Sequence, residues 1–496
     1  MSAGSNRNAR GVSAGSHHNA RGVSAGSRLD ERRRRFQDWP HYRWAVLGLT
    51  MVGIASTSFP ITVLSASLPE IAADLNTSES AVSWVQSAPL VAMAVGTPIA
   101  GKFGDLYGHR RLYLWGYALA TGFTVLTGLS WNVGSLVAMR TLGQFIGAAT
   151  LPASMAIIMT VFARRERALA MGYWSAVTAL SPAIGVAFGG FMVDAFGWRT
   201  IFYVQAVPSL LALLAAIPLL PETPRKPDVR FDISGAVSLG LAVAALLLAI
   251  NRGPEWGWTH PLVVVGLVGG PVAVAVFWAV ERRTRDPILP LDFLRRRGFV
   301  IPNLMTFLGH MAYMGTLVVA PFMLEGAFGI AEVSTRSAAL IARPVGFSVG
   351  AWYAGRVESR RGGRAIMVSG ALIMSVALAG TGVSILAGWL AAVIVLLFLT
   401  GVGQGATRPA AVTAVANSVD DTDLGSASGF LQTLGHIGAA TGITIMITVL
   451  GSSDSPERFF AVFVLAAAIA SLSALVARWS PAAGATMSGK GRPSHG

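Results

Sequence analysis

The sequence has no cysteine and little charge for its length. Without cysteine, disulfide bonds, thiolate metal sites and cysteine nucleophiles are excluded. Of the 496 residues, only 12% are charged, whereas soluble domains carry about 25% charged residues. A chain with so few charges cannot cover a water-facing surface, so a row of soluble domains is excluded as well.

Long apolar segments occupy most of the chain. The hydrophobic fraction is 53% and the mean hydropathy is +0.58, and a membrane-spanning helix needs roughly 20 apolar residues. From Trp44 onward we count fourteen such segments, separated by breaks too short for a soluble domain. They are residues 44–71, 81–101, 112–130, 133–162, 168–194, 200–220, 232–250, 260–280, 299–324, 337–355, 366–386, 389–416, 425–450 and 458–478. The pattern predicts an all-α integral membrane protein with 14 transmembrane helices.

The basic residues fall on one side of these segments. With the N-terminus inside, 31 of the 38 lysines and arginines lie in cytoplasmic segments, and only Arg199, Arg252, Arg336 and Arg458 lie in outer loops. The positive-inside rule then places both termini in the cytoplasm. The net charge of +14 is therefore a signal of orientation. No basic domain interleaved with aromatic residues supports a nucleic-acid partner.

The two ends of the chain are polar. Residues 2–12 and 13–23 repeat an eleven-residue unit rich in Gly, Ser, Asn and Arg, and a third SAGS follows. Such a unit has no apolar face to bury, so we predict a disordered tail over residues 1–43 and a second one over residues 479–496. No apolar stretch follows within cleavage distance, so a signal peptide is not expected.

A glycine-rich basic loop joins the second and third segments. It runs from Gly101 to Arg111 and has the spacing Gly-x-x-Gly-Asp-x-x-Gly-x-Arg-Arg. This spacing resembles the signature loop of the major facilitator superfamily, whose aspartate helps to latch the two halves of the fold. The family usually has a basic residue directly after this aspartate, whereas this sequence has Leu106 there. The resemblance implies a conformational switch formed by Gly101, Gly104, Asp105, Gly108, Arg110 and Arg111.

A degenerate copy of this loop follows the tenth segment, at residues 355–364. Ser359 takes the position of the aspartate, and Glu358 lies beside it. Recurrence of one loop in both halves indicates a duplicated fold.

The fifth segment carries a proline followed by a stripe of glycines. After Ser181 come Pro182, Gly185, Gly189 and Gly190, which permit close helix packing. The pattern resembles the motif of exporters and antiporters in the superfamily, with Ser181 in place of its first glycine, and it adds these four positions to the predicted switch. Together with fourteen segments, the Leu-Pro pair at residues 68–69 and the run at residues 289–295, the chain resembles the fourteen-spanner drug–proton antiporter group.

The resemblance implies a particular arrangement of the helices. Two pseudo-symmetric six-helix bundles would comprise residues 44–220 and 299–478, and residues 221–298 would supply two additional central helices with cytoplasmic linkers. This is the major-facilitator fold.

Three arginines and two histidines fall inside the apolar segments. Arg140 lies in the fourth segment, and a charge within a spanning helix costs roughly 3 kcal/mol, so it usually faces a cavity. The other four lie in segments nine, ten, twelve and thirteen, which by the resemblance line the central cavity. With nearby polar and aromatic residues and the outer acids, the predicted substrate and coupling residues are Arg140, Gln144, Arg343, Arg408, His310, His436, Trp84, Gln86, Trp174, Glu70 and Glu325.

Each of these predictions has a structural alternative. An arginine can bind backbone carbonyls or an outer carboxylate, and a histidine can be a packing residue. The same holds for the aromatic and flexible candidates, to which we add Phe307, Tyr313 and Met314 as lining of a drug-sized apolar pocket.

The apolar segments contain no deep carboxylate. Pro60 stands where the family usually carries an aspartate in the first segment, and the acids nearest the segments lie at outer ends. Since Arg pairs bidentately with carboxylates and phosphates, the cavity favours an anionic substrate. Proton coupling would then fall to His310, His436 or the rim acids Glu70 and Glu325, and uncoupled transport is the alternative.

Other classes of protein fit less well. Asp421-Thr-Asp423 is similar to the metal pair of nucleotide-sugar transferases, but no soluble catalytic domain accompanies it. No Walker loop and no cluster with metal-ligand spacing is present, so neither ATP-driven pumping nor a metal or other cofactor is expected. A lipid flippase of the same superfamily remains an alternative. We predict that the protein is not an enzyme. We expect a monomeric secondary exporter that moves a small organic molecule across the cytoplasmic (inner) membrane and uses the proton gradient.

Overall fold

The protein is described by a computed structural model that covers residues 39–224, 231–284, 287–330, 333–451 and 455–481. The chain divides into residues 1–42 and residues 43–496. Most of both predicted tails lies outside the described residues. The described part contains fifteen α-helices, one 3-10 helix at Leu291–Arg295 and no β-strand.

The helices follow the apolar segments in order. They are α1 (Tyr42–Asp74), α2 (Glu79–Tyr107), α3 (His109–Gly128), α4 (Val133–Gly147), α5 (Thr150–Val161), α6 (Arg167–Phe196), α7 (Thr200–Leu219), α8 (Ile233–Trp256), α9 (Pro261–Glu281), α10 (Arg297–Gly326), α11 (Val333–Arg361), α12 (Gly363–Leu386), α13 (Leu390–Asn417), α14 (Leu424–Leu450) and α15 (Pro456–Ala477).

Nine stretches of the described chain are long and apolar enough to cross a membrane. They are α4 and α5 counted together, α7, α8, α9, α10, α12, α13, α14 and α15. The chain is therefore an all-helical multi-pass membrane protein, as its composition predicts.

The fourth predicted segment is two helices rather than one. α4 ends at Gly147 and α5 begins at Thr150, with Pro152 in its first turn. A proline has no amide hydrogen, and its ring displaces the carbonyl four residues earlier, which is that of Ala148. The break therefore falls where the proline requires it.

The helices before and after the α8–α9 pair make matching contacts. We call α1–α7 the first half and α10–α15 the second half. Within the first half α2 packs on α4, α3 on α4 and α3 on α7; within the second half α11 packs on α13, α12 on α13 and α12 on α15. Between the halves, α2 packs along α14 and α6 along α11. This repetition fits the duplication that the recurring loop indicates.

The α8–α9 pair lies beside the contact between the halves. The two helices pack on each other, and α8 also contacts α2 and α14. The Thr444 hydroxyl on α14 donates to the carbonyl oxygen of Ile250 on α8 at 3.0 Å.

The C-terminal end of α8 differs from the sequence prediction. We expected a segment ending at residue 250 with Arg252 in an outer loop, but α8 continues to Trp256 and buries Arg252. The Arg252 guanidinium lies 3.8 Å from the centre of the Trp84 ring and donates to Ser87 at 2.8 Å and Glu255 at 2.5 Å. Cation–π contact and hydrogen bonds together make this charge tolerable inside the protein.

An ion pair joins the C-terminal end of α1 to the start of α7. Arg199 donates to Asp74 at 2.6 Å, and the Trp198 indole donates to the same carboxylate at 3.1 Å. Asp74 lies beyond the predicted segment 44–71. These two hydrogen bonds hold the pKa of the Asp74 carboxyl below its usual value.

Glycines bring α11 and α13 into direct backbone contact. A Cβ on Gly405 would lie 2.0 Å from the carbonyl oxygen of Phe347, and one on Gly346 would lie 2.0 Å from that of Phe398. Small residues allow such close approach between helices in a membrane, where packing rather than the hydrophobic effect drives association.

We expect Gly405→Ala to destabilise the protein by about 1–3 kcal/mol, because the added methyl group forces α11 and α13 apart. Thermal unfolding of the detergent-purified protein measures the effect. Gly122→Ala on α3 is the matched control, since a Cβ there meets no atom within 4 Å. Equal melting temperatures for the two variants would contradict the close contact.

Candidate functional site

A cavity of about 300 Å³, lined by polar and apolar side chains, lies between the two halves. Helices α1–α7 supply most of its wall, and α10, α13 and α14 supply the remainder. Its lining comprises Thr57, Met93, Tyr117, Ala120, Thr121, Thr124, Thr127, Arg140, Gly143, Gln144, Gly147, Thr150, Leu151, Thr178, Phe202, Gln205, Ser209, Met314, Arg408, Gln432 and His436.

Hydroxyl groups dominate the wall on the side of the first half. The hydroxyls of Thr121, Thr124 and Thr127 on α3 donate to carbonyl oxygens of their own helix at 2.7–2.9 Å. Thr178 does the same at 2.8 Å, whereas the hydroxyl of Thr150, the first residue of α5, donates to the carbonyl oxygen of Gly147, the last residue of α4, at 2.7 Å. Because each hydrogen is donated to a backbone carbonyl, the hydroxyl oxygens retain lone pairs that accept hydrogen bonds.

A buried hydroxyl network extends from this wall. The Tyr117 hydroxyl lies 2.7 Å from the hydroxyl of Ser56, which accepts from Ser209 at 3.0 Å. The network joins α3, α1 and α7. Sequence analysis missed these groups, although the four-residue and three-residue spacings of Tyr117, Thr121 and Thr124 place them on one face of α3.

Arg140 supplies the first positive charge of the cavity. It lies on α4, is 9% exposed, and its Nε is buried without a hydrogen-bond partner in the described residues. Its guanidinium lies 6.0 Å from the centre of the Phe202 ring. No described carboxylate pairs with it. Gln144, one turn later on α4, lines the same cavity.

Arg408 supplies the second positive charge, from the opposite half. Its Nη2 donates to the side-chain oxygen of Gln432 on α14, and its Nη1 is buried without a partner in the described part of the chain. His436 lies one turn beyond Gln432 and also lines the cavity, with an unpartnered Nδ1. The described lining contains no Asp or Glu, so Arg140 and Arg408 leave the cavity with uncompensated positive charge.

His310 lies behind the cavity wall rather than on it. Its Nδ1 donates to the carbonyl oxygen of Thr306 at 2.9 Å, and Gln404 Nε2 lies 3.4 Å from the same nitrogen. A Cβ on Gly435 would meet both Arg408 Nη1 and His310 Cδ2, at 3.6 and 3.7 Å. His310 is therefore close to the cavity arginine without lining the cavity.

Arg343 does not reach the cavity, contrary to our expectation. It is fully buried between α11 and α10, where its Nη2 donates to the Tyr313 carbonyl and the Thr316 hydroxyl, both at 2.7 Å. Its guanidinium also lies 4.3 Å from the centre of the Tyr313 ring. These contacts fit the structural alternative, in which the arginine binds helix backbone.

The remaining predicted lining residues are dispersed. Trp174 is buried on α6 and donates to Ser154 at 3.3 Å, in an apolar cluster rather than in the cavity. Trp84 contacts Arg252, and Gln86 lies two residues further along α2. Periodicity does not reveal which face of a buried helix meets the cavity, so the sequence did not separate these residues from Arg140 and Arg408.

The two rim acids are exposed at helix ends. Glu70 lies in the last turns of α1, and Glu325 pairs with Arg336. Neither lines the cavity. Phe307 and Tyr313 likewise lie in the apolar core of the second half, whereas Met314 reaches the cavity.

Asp105 in the signature loop binds the first turn of α14. Its carboxylate accepts hydrogen bonds from the backbone N–H groups of Gly425 and Ser426, both at 2.8 Å, and from the Ser426 hydroxyl at 2.5 Å. His109 Nε2 lies 3.0 Å from the same carboxylate. A negative charge is stabilised at a helix N-terminus, where N–H groups lack partners. The loop thus joins the two halves.

Other residues of the loop shape this contact. Gly101 and Gly425 are in backbone contact, because a Cβ on Gly101 would lie 2.2 Å from the Gly425 carbonyl oxygen. A Cβ on Gly104 would meet the His109 ring, also at 2.2 Å. Gly108 has φ +96°, which allows the turn between α2 and α3.

The two arginines of the loop differ in exposure. Arg110 is buried and binds Glu222 at 2.9 Å and the Ile217 carbonyl at 2.7 Å. Arg111 is exposed.

The other contact between the halves repeats this arrangement in part. A Cβ on Gly355 of α11 would lie 2.8 Å from the Ala168 carbonyl at the start of α6. Arg167, the first residue of α6, pairs with Asp421 at 3.2 Å. Glu358 is buried near this contact, with one oxygen that has no partner among the described residues. The degenerate loop therefore approaches the start of α6 closely, as the first loop approaches α14, whereas the ion pair joins α6 to the loop before α14.

The predicted switch in α6 is described only in part. The helix runs through all four positions, and Gly185 is buried. Pro182, Gly189 and Gly190 lie outside the residues whose side-chain surroundings the structure describes, as does Pro60 on α1.

No metal centre is found in the described ranges of the chain, since no three His, Asp or Glu side chains there could hold an ion. Of the suspected metal pair, Asp421 binds Arg167 and Asp423 immediately precedes α14.

Membrane-crossing helices in two matching halves, with a polar cavity between them, define a membrane transporter. The chain matches the Major Facilitator Superfamily over residues 50–232 and 302–493 and belongs to that superfamily. It is therefore a transporter and not a membrane-embedded transferase.

The similar proteins include exporters of drugs and antibiotics. The chain is 28% identical to the tetracenomycin C resistance and export protein of Streptomyces glaucescens, with 82% of this chain and 76% of that protein covered. It is 29% identical to the cephamycin export protein CmcT of Amycolatopsis lactamdurans (83% and 88% covered). It is 26% identical to the multidrug transporter protein MdtP of Bacillus subtilis (79% and 72% covered).

Solved structures show the same fold. The human organic anion transporter MFSD10 aligns with a TM-score of 0.66 at 16% identity, covering 89% of this chain and 100% of that one. The proton:xylose symporter XylE aligns with a TM-score of 0.63 at 14% identity, covering 89% and 96%.

We expect Asp105→Asn to weaken the contact between the loop and α14 by about 2 kcal/mol, since hydrogen bonds to a charged group contribute about 1.5–3 kcal/mol. Because the chain has no cysteine, a single introduced cysteine is a clean probe. With Ser428→Cys, which is buried in the second turn of α14, labelling by a membrane-impermeant maleimide should accelerate roughly tenfold or more.

Asp292→Asn on the exposed 3-10 helix is the control and should leave the labelling rate unchanged. Unchanged labelling in Asp105→Asn would show that the loop does not hold this end of the protein closed.

Proposed function

We propose that the protein exports a small organic molecule across the cytoplasmic membrane by alternating access. The observation that carries this proposal is one polar cavity between two pseudo-symmetric halves, with a charged latch across one end. Such an arrangement lets the halves rock around a central site. The drug and antibiotic exporters among the similar proteins support the outward direction.

The proposed topology has fourteen spans in a monomer, with both termini in the cytoplasm. Helices occupy every predicted segment, and the basic residues lie on the side of the Asp105 loop. In this orientation the latched end of the protein is cytoplasmic, and the described conformation is closed toward the cytoplasm.

The proposed substrate is an organic anion. Arg140 and Arg408 both line the cavity, each has a buried nitrogen without a partner, and no described lining residue carries a negative charge. A carboxylate, sulfonate or phosphate supplies the missing charge and accepts bidentate hydrogen bonds from a guanidinium. The threonine oxygens on the wall of the first half add acceptors for hydroxyl groups of the same molecule.

The resemblance to drug–proton antiporters implies proton coupling. A proton antiporter requires a group in the cavity that changes charge, and His436 is the histidine of the described lining. Uncoupled transport is the alternative that the lack of a lining carboxylate favours. A lipid with an anionic head group is the alternative substrate, because it meets the same arginines.

Transport into inside-out vesicles tests the function. We expect uptake of 4-hydroxybenzenesulfonate to exceed that of phenyltrimethylammonium, a cation of similar size, because the cavity is positively charged. Preference for the cation would contradict the anionic substrate. Acidifying the vesicle interior should stimulate uptake if the protein is a proton antiporter and should leave uptake unchanged if transport is uncoupled. In a separate assay, flipping of a fluorescent phosphatidylglycerol would favour the lipid alternative.

Removing one cavity charge tests the role of the arginines. Arg408→Gln should weaken binding of 4-hydroxybenzenesulfonate to the purified protein about 10–100-fold, the loss expected for one charged hydrogen-bonding group. Isothermal titration calorimetry measures this. Arg199→Gln, at the outer end and outside the cavity, is the matched control. Equal affinities would remove Arg408 from the site.

A further inference from the structure

We propose that Asp232 and Glu281 form a proton-binding site outside the transport cavity, in which the two buried carboxyl groups hold one proton between them. The site lies at one end of the α8–α9 pair, beside α2, and neither residue lines the cavity. The proposal goes beyond the proposed function, because it concerns a different part of the protein and does not depend on what the cavity carries.

The two carboxyl groups meet at one end of the α8–α9 pair. Asp232 is the N-cap of α8, and Glu281 is the last residue of α9. A Cβ on Gly235 would lie 2.2 Å from Asp232 Oδ2 and 3.3 Å from Glu281 Oε1. These two oxygens are therefore at most about 6 Å apart, a distance at which one negative charge disfavours another.

Each carboxyl group uses only one of its oxygens. Asp232 Oδ1 accepts from the backbone N–H of Gly235 at 2.9 Å and from the Ser234 hydroxyl at 2.7 Å. Glu281 Oε1 accepts from the backbone N–H groups of residues 288 and 289, at 3.0 and 3.4 Å. Asp232 Oδ2 and Glu281 Oε2 are buried and have no hydrogen-bond partner among the described residues. A proton on either oxygen supplies the donor that the pair lacks.

Apolar packing keeps water away from the pair. Asp232 is 7% exposed and Glu281 is 2% exposed. Phe277 on α9 and Ile288 belong to one buried apolar cluster with residues of α2 and α8. In such surroundings a charge without compensation is costly, so the pair cannot carry two negative charges cheaply.

One positive charge acts on the two carboxyl groups. Lys102 on α2 is buried and attracts the Glu281 carboxylate, whereas Asp232 repels it. These are the charged groups of the described residues that act on Glu281. One lysine and two carboxylates leave one negative charge in excess, and one bound proton removes it. No group of three acidic or histidine side chains in the described ranges could hold a metal ion instead.

The site connects the α8–α9 pair with α2. Glu281 binds the backbone of residues 288 and 289, and Lys102 donates to the carbonyl oxygen of Pro287 at 2.5 Å. The chain just after α9 is thus held by both groups. With the proton bound the cluster is neutral, and loss of the proton leaves a buried charge that destabilises the native protein.

Infrared spectroscopy of the detergent-purified full chain detects the proton directly. A protonated carboxyl group has a carbonyl stretch that shifts in D2O and that an ionised carboxylate lacks. We expect Glu281→Gln and Asp232→Asn each to remove the intensity of one carboxyl group at neutral pH, because the remaining carboxylate then pairs with Lys102. Asp292→Asn, on the exposed 3-10 helix, is the control and should leave the band unchanged.

Lys102→Gln tests the balance of charge. Without the lysine both carboxyl groups lack a positive partner, so the proton should be held more tightly. The band should then persist to a proton concentration several-fold lower than in the unsubstituted protein. A band that disappears at the same pH with and without the lysine would contradict the proposed cluster.

The melting temperature as a function of pH gives a second measurement. The native protein holds a proton that the unfolded chain releases, so its melting temperature should fall as the pH rises above neutrality. Glu281→Gln is uncharged at every pH, so it should reduce this fall and should melt no lower than the unsubstituted protein at neutral pH. A purely structural ion pair between Glu281 and Lys102 predicts a lower melting temperature for this variant.

Three results would overturn the proposal. The first is a carboxyl band that both Glu281→Gln and Asp232→Asn retain. The second is a lower melting temperature of Glu281→Gln at neutral pH with an unchanged pH dependence. The third is the absence of the band from the unsubstituted protein together with stabilisation by sodium relative to choline, which would assign the site to a metal cation.

Discussion

The free energy of a buried charge is the constraint on which this structure depends. A charge removed from water is costly unless a partner compensates it, and this chain has few charges to combine. Asp105 is compensated completely, by two backbone N–H groups, a hydroxyl and a histidine. Arg408 binds the neutral amide of Gln432, and neither Arg408 nor Arg140 pairs with a described carboxylate. The first case joins the two halves, and the second is the basis of the proposed anionic substrate.

Glycines bring the two halves into close backbone contact. Where Gly101 meets Gly425, and where Gly355 meets the start of α6, backbone touches backbone at the two places where the halves join. Close-packed helices move as rigid bodies, because packed interiors do not deform continuously. Helix α14 connects the Asp105 contact with the cavity, because its first turn binds Asp105 and its residues Gln432 and His436 line the cavity.

The sequence predicted the helices and the latch better than it predicted the cavity. Apolar segment length and the spacing of the Gly101–Arg111 loop depend on local properties, which a sequence displays. The surroundings of Arg343 on α11 depend on the packing of neighbouring helices. This packing brings its guanidinium group to the backbone of α10. The same reason explains the extension of α8 to include Arg252. The threonines of α3 are detectable from the sequence, because their spacing places them on one face of the helix.

The hydroxyl wall has a consequence for the chemistry of whatever is carried. Since Thr121, Thr124 and Thr178 use their hydrogens within their own helices, these hydroxyl groups accept hydrogen bonds rather than donate them. A phenol or alcohol can satisfy them, whereas its methyl ether presents an oxygen to oxygens and leaves them unsatisfied when water is excluded. Methylation of a hydroxyl group on a bound molecule would therefore remove the hydrogen that these threonine oxygens accept.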